Sequence, residues 1–126
     1  MTRQIIQTDK APAAVGTYSQ AVKVGNTVYI SGQLGFDPKT MELKEGFDGQ
    51  AKQVFENIKA ICEAAGGSLN DVVKFNVSLT DLNDFAALNE VFMANLTEPY
   101  PARAAVQVAA LPKGGVVEIE SILYIE

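Results

Sequence analysis

The chain has no histidine, no tryptophan and a single cysteine, Cys62, in 126 residues. Without histidine there is no Ser-His-Asp or Cys-His relay, no imidazole acid or base, and almost no route to a zinc or non-haem iron site. One cysteine excludes an intrachain disulfide. No run of lysine or arginine occurs, and the formal net charge is -5, which works against a role dominated by contacts to a phosphate backbone. No segment approaches the roughly 20 apolar residues of a membrane span, and residues 1–10 are polar, without a signal-like apolar stretch. The expectation is a cytoplasmic protein with no membrane or nucleic-acid partner. Its chemistry must run on carboxylates, Arg, Lys, Tyr, Ser, backbone groups or water.

What is present fits one domain, 1–126, because the length is too short for two ordinary domains. Hydrophobic residues make up 48% of the chain, enough for one core of Val, Ile, Leu, Ala and Phe. Residues 3–7 read as a short edge strand and 11–16 as a loop. Segments 17–24 and 27–33 flank Gly25-Asn26, a hairpin turn. Residues 34–46 read as a long surface loop. Ala51, Val54, Phe55, Ile58, Ile61, Cys62 and Ala65 then recur at helical spacing, with Gly66-Gly67 as the stop. On 72–80, Val73, Phe75, Val77 and Leu79 alternate with polar residues, which predicts a strand with one apolar face. Asp81 can cap a second helix striped by Leu82, Phe85, Leu88 and Phe92. Segments 103–110 and 116–125 are the last strands.

Strands, helix, strand, helix, strand, strand make a mixed sheet in which each helix crosses between parallel strands. Two helices cover one face of such a sheet. The pattern assigns Arg103, Gln107, Glu118, Glu120 and Asn76 to the other face, which an oligomer would bury.

Among the candidate residues Arg103 stands out. Its planar fork matches a carboxylate, and it opens a strand beside the small Ala104 and Ala105. Glu118 and Glu120 lie two apart on one strand, a spacing that suits either a solvated edge or a pair orienting water. Tyr18, Ser31, Gly32 and Asn89 carry little signal alone. Cys62 sits on the apolar helix stripe and reads as core rather than nucleophile. Lys113-Gly114-Gly115 lacks the strand-to-helix setting of a phosphate loop.

Five blocks are distinctive together: APAAVGTYSQAV, VYISGQLGFDPKT, EAAGGSLNDVVK, VSLTDLNDFAALNEVF and PYPARAAVQVAALPKGGVVEIESI. In this order, over essentially the whole chain, they resemble the Rid family of imine deaminases (YjgF/YER057c/UK114). The resemblance implies an α+β, chorismate-mutase-like fold: a six-stranded mixed sheet with two helices on one face, assembled as a homotrimer with ligand clefts between subunits. It implies a short 2-imino acid substrate, such as 2-iminobutanoate or 2-iminopropanoate, hydrolysed to a 2-oxo acid and ammonia with no cofactor and no metal. It assigns the substrate carboxylate to Arg103, a pocket water to Glu118, and the pocket lining to Tyr18, Ser31, Gly32, Asn89 and Ala105.

Three positions depart from the family pattern. Ala105 stands where active members often carry Cys, Thr17 replaces a common Pro, and Met41 replaces a common turn Gly. In the fold that the resemblance implies, the last strand runs antiparallel to the one Arg103 opens, which puts Arg103 and Glu118 at opposite ends of one subunit's sheet, roughly 20 Å apart, so that they share a site only across a subunit boundary. The competing expectations are a non-catalytic 2-oxo acid binding protein, an endoribonuclease or translation inhibitor, and a structural trimer with a vestigial cleft.

Overall fold

Six strands and two helices, known from a computed structural model that describes residues 2–126, form one mixed sheet with both helices on the same side. Met1, the first residue of the expected domain, lies outside the described residues. The strands are β1 (Arg3–Ile6), β2 (Ala21–Val24), β3 (Thr27–Leu34), β4 (Val72–Leu79), β5 (Ala102–Gln107) and β6 (Val117–Tyr124). The helices are α1 (Gly46–Ala64) and α2 (Phe85–Asn95). Sheet order is β1-β2-β3-β6-β4-β5, with β4 and β5 the one parallel pair. Because β6 runs antiparallel to both β3 and β4, the α1 crossover also joins strands of like direction.

Local signals account for the element ends. Gly66, at φ 94°, closes α1 in a Schellman motif: the amide of Gly67 donates to the Cys62 carbonyl and that of Gly66 to Glu63. Asp81 accepts from the Asn83 amide at 2.9 Å and caps a short 3-10 turn that leads into α2. The long loop expected at 34–46 is shorter. It is pinched by a Phe36–Leu43 bridge, and α1 begins at Gly46. Residues 17–20 are not strand; β2 starts at Ala21.

The core lies between the helices and the sheet. Val54, Ile58 and Ile61 of α1 meet Val28, Ile119 and Leu123, all fully or nearly fully buried. Phe55, Phe75 and Phe92 form a three-ring cluster with centroids 5.2–5.7 Å apart, tying α1, β4 and α2 together. Val73 does not join this face. A register shift between Val72 and Lys74 puts Val72 inside and leaves Val73 49% exposed, after which Phe75, Val77 and Leu79 point inward as expected.

The far face of the sheet has no helix over it. Asn76, Glu118, Glu120, Tyr29, Tyr124 and Val106 lie there, with Tyr29, Tyr124 and Val106 each about half exposed. No helix among the described residues is long and apolar enough to cross a membrane.

Candidate active site

Arg103 does not project from the open face. Its Cα is the register partner of Phe75, and Gln107 is the partner of Leu79, so both belong to the helix side. The contacts agree. Arg103 Nη1 donates to Asn89 Oδ1 on α2 at 2.8 Å, and Gln107 Oε1 accepts from the Leu82 amide at 2.9 Å. Alternation had assigned the face by hydrophobicity, but β5 is an edge strand whose inner face runs out beneath α2. There a long cationic side chain can emerge from under the helix while its stem packs.

The guanidinium is held on several sides. Its carbon lies 4.9 Å from the Phe92 ring centroid and 5.2 Å from that of Phe85. Phe92 is itself fixed by Phe55 and Phe75, so the three-ring core orients the cation. Among the described residues Arg103 has no carboxylate partner; the ion pair found is Lys44 with Asp37 at 3.2 Å, in the loop after β3. Arg103 also lines an open cleft of about 630 Å³, together with Asn89, Phe92, Met93, Tyr100 and Pro101. Ala105 follows on the same strand face, partly buried against the core, while Ala104 points to the opposite side.

Glu118 sits elsewhere. It pairs with Ser78 on β4 and Leu34 on β3, and its carboxyl rests on Gly32. A Cβ on Gly32 would come within 2.9 Å of the Glu118 Cδ, so glycine is what permits this approach. The register shift between Ile30 and Gln33 opens β3 at this point. Burial, and next the neighbouring Glu120, push the Glu118 carboxyl above its ordinary value. Glu120 accepts from Asn76 Nδ2 at 3.1 Å.

Tyr18 and Gly32 line one small pocket of about 70 Å³ with Leu34, Phe36 and Met41. The Tyr18 hydroxyl accepts from the Val15 amide at 3.4 Å, leaving half of the ring exposed. The Ser31 hydroxyl donates to the Ser19 carbonyl at 2.6 Å, and its amide to Gln20 at 3.0 Å, stapling the Tyr18 segment to β3.

The seven expected residues therefore fall into two groups in one chain. Arg103, Asn89 and Ala105 gather under α2. Tyr18, Ser31, Gly32 and Glu118 gather around the end of β3. Arg103 and Glu118 are three register positions and two strands apart, roughly 14 Å between Cα atoms from ordinary strand spacings. They are not at opposite ends of the sheet, as strand direction alone implied. They are on opposite faces, with the sheet between them.

Sequence reading missed two sets of residues. Phe85 and Phe92 pattern only as helix stripe, and Gln50, Gln53 and Asn57 are buried polar residues of α1. The signal for the latter was three amides at i, i+3 and i+7 on an otherwise apolar stripe. Among the described residues no group of three or more His, Cys, Asp or Glu side chains forms a metal-binding cluster. Cys62 is buried, and burial pushes its thiol up to about 12, as expected for a core residue.

This geometry has close counterparts. Residues 8–125 match the family model described as endoribonuclease L-PSP. A 2-iminobutanoate/2-iminopropanoate deaminase from Capra hircus is 55% identical over 123 residues, covering 97% of this chain and 90% of that protein. The crystal structure of RidA from the Antarctic bacterium Psychrobacter sp. PAMC 21119 superposes with a TM-score of 0.96 at 92% identity, covering 97% of this chain and 99% of that one. The structure of E. coli TdcF with bound serine superposes with a TM-score of 0.92 at 45% identity, covering 98% and 99%. The chain belongs to the endoribonuclease L-PSP family, the YjgF/Rid family that its sequence resembles.

Proposed function

We propose that the protein is an imine deaminase acting on short 2-imino acids, with 2-iminobutanoate and 2-iminopropanoate as substrates. The observation that carries this reading is Arg103: a guanidinium with no carboxylate partner among the described residues, held by Asn89 and two aromatic rings, in the wall of an apolar cleft. Such a group is arranged to take a small carboxylate in bidentate fashion. The names of relatives about half identical to this chain support the reaction class. The serine in E. coli TdcF supports a small amino-acid-like ligand.

In the reaction the substrate carboxylate pairs with Arg103, and its short side chain lies against Phe92, Met93 and Tyr100. Water beside Glu118 adds to the imine carbon as the C=N π pair moves to nitrogen. Glu118 accepts the proton of that water and returns it to the nitrogen. The proton of the resulting carbinolamine hydroxyl then passes through Glu118 to the same nitrogen as the C=O bond forms and the C–N bond breaks, releasing ammonia and a 2-oxo acid. Positioning and proton handling supply the acceleration, and the chemistry asks for no metal or cofactor.

Arg103 and Glu118 lie on opposite faces of one sheet, so this mechanism requires Arg103 from one chain and Glu118 with Tyr18, Ser31 and Gly32 from a neighbour. A chorismate-mutase-like homotrimer that buries the open sheet faces meets that requirement. The uncovered Tyr29, Tyr124 and Val106 support such packing. Ala105 in place of the family's common Cys takes no proton and forms no bond in this scheme, so its effect is on pocket size.

The reading is tested by generating 2-iminobutanoate in situ with an amino-acid oxidase and following its loss. Wild type accelerates the loss, and Arg103→Ala does not. A wild-type chain that binds 2-oxobutanoate but leaves imine decay unchanged is a carboxylate-binding protein instead. Ribonuclease activity is the weaker reading, since the chain combines a net charge of -5 with no histidine.

A further inference from the structure

Between Gln50 and Asn57, α1 carries three amides where a helix packed on a sheet ordinarily carries apolar groups. Gln50, Gln53 and Asn57 are 6%, 7% and 0% exposed. A buried amide costs stability unless its polar atoms are bonded. Gln53 Nε2 donates to Asn57 Oδ1 at 2.8 Å, and Asn57 Nδ2 donates to the carbonyls of Leu34 at 3.2 Å and Phe36 at 3.0 Å. Gln50 Oε1 accepts from the Val116 amide at 2.9 Å.

These partners share a location. Leu34 is the last residue of β3, Phe36 lies two beyond it, and Val116 immediately precedes β6. Between them Gly35 lets α1 touch the chain directly: a Cβ there would sit 2.6 Å from the Gln50 Cα. Both fixed ends lead to Glu118. Leu34 is its register partner and lies two residues after Gly32, on which the Glu118 carboxyl rests; Val116, just ahead of β6, precedes Glu118 by two residues.

We infer that Asn57, oriented by Gln53 and assisted by Gln50, is a positioning residue that fixes the ends of β3 and β6 so that the Glu118 carboxyl stays seated on Gly32. The inference rests on the role given to Glu118 above. Apolar side chains would fill the same space, but they would set neither the direction nor the distance of the two strand ends. The Arg103 half of the site is independent of these amides, being held by Asn89, Phe85 and Phe92. Loosening the amides therefore disturbs the reaction step and spares carboxylate binding.

The test compares full-length Asn57→Leu with wild type in the amino-acid oxidase assay across the titration range of Glu118. Misplacement of a reacting group costs roughly tenfold to a hundredfold, so kcat falls by that factor while the Kd for 2-oxobutanoate stays within about twofold. The acid limb of kcat moves to lower pH, because a Glu118 lifted from Gly32 regains water. Ile61→Val, on the same helix face but away from the strand ends, is the packing control and keeps its kcat.

Gln50 engages through its oxygen alone, so Gln50→Glu retains kcat while Gln50→Met loses it; this pair decides the matter should Asn57→Leu not fold. Wild-type kcat and an unmoved acid limb in both Asn57→Leu and Gln50→Met would overturn the inference. So would losses that only track the folded fraction. A fully active Glu118→Gln would instead overturn the role of Glu118 itself, whereas an impaired Glu118→Gln beside a normal Asn57→Leu overturns the positioning alone.

Discussion

Replacing Arg103 by lysine keeps the charge and removes the fork. In wild type Nη1 is bonded to Asn89, and the other guanidinium donors, without a hydrogen-bond partner among the described residues, suit two parallel bonds to a carboxylate. Lysine offers a single point contact and cannot satisfy Asn89 and substrate in the same geometry. One lost charge-assisted hydrogen bond is worth about 1.5–3 kcal/mol. Weaker stacking on Phe85 and Phe92 adds about 0.5 kcal/mol. A total of about 2–3.5 kcal/mol predicts a fall in kcat/KM of roughly 30- to 370-fold. Asn89→Leu removes only the orienting bond, and the expected fall is about 5- to 30-fold, from about 1–2 kcal/mol. The assay is imine loss after in situ generation, corrected for spontaneous hydrolysis, with titration of 2-oxobutanoate by calorimetry as an independent measure of carboxylate binding. Arg103→Lys within threefold of wild type in both measurements would refute the bidentate assignment, since a bare positive charge would then suffice.

Three further outcomes are expected. Burial and then Glu120 raise Glu118, so the folded state keeps a proton that the unfolded chain has already lost. The associated penalty is absent below the unfolded pKa and complete above the folded one. Glu118→Gln should therefore gain stability relative to wild type as pH rises through that window, and should lack the acid limb of kcat; parallel denaturant curves at acid and neutral pH, with a kcat profile, check both. Met41 holds φ 59°, in the left-handed region that favours glycine. Met41→Gly relieves about 1–2 kcal/mol of left-handed strain against about 0.5–1 kcal/mol of added chain entropy, for a net gain of roughly 0.5–1 kcal/mol in chemical denaturation. Cys62, with its thiol pushed up to about 12 by burial, should react with an aromatic disulfide reagent only after unfolding; rapid labelling of the native protein would contradict its place in the core.

Much of the fold was legible because its signals are local. The α1 stripe from Ala51 to Ala65, the Gly66-Gly67 stop and the Gly25-Asn26 turn each depend on a few adjacent residues, and each stands where the pattern put it, whereas Asp81 caps the 3-10 turn Leu82–Asp84 and α2 begins beyond it at Phe85. Bulges were not legible. The shift at Val72–Lys74 turns Val73 outward, and the shift at Ile30–Gln33 shapes β3 beside Glu118, yet neither leaves a mark in the alternation. The buried amides of α1 were passed over for a related reason. Gln50 reads as surface by type, while the bond from the Val116 amide and its 6% exposure show it bonded and enclosed.

The misassigned face of Arg103 bears most directly on function. Alternation separates two faces but does not say which one a helix will cover. On β5 the more apolar set, Ala104 and Val106, faces away from the helices, and Val106 remains 53% exposed. An apolar residue left outside and a cation drawn in beneath a helix invert the usual choice. Both make sense if β5 meets a neighbouring chain. The open face then has something to bury, and Arg103, emerging at the sheet edge, is carried toward the boundary where a neighbour's Glu118 and Gly32 would complete the cleft. A site divided in this way cannot turn over substrate in a lone chain. A variant verified as monomeric should keep the Arg103–Asn89 geometry yet lose imine hydrolysis, and full turnover by such a monomer would require a different proton acceptor on the helix side of β5.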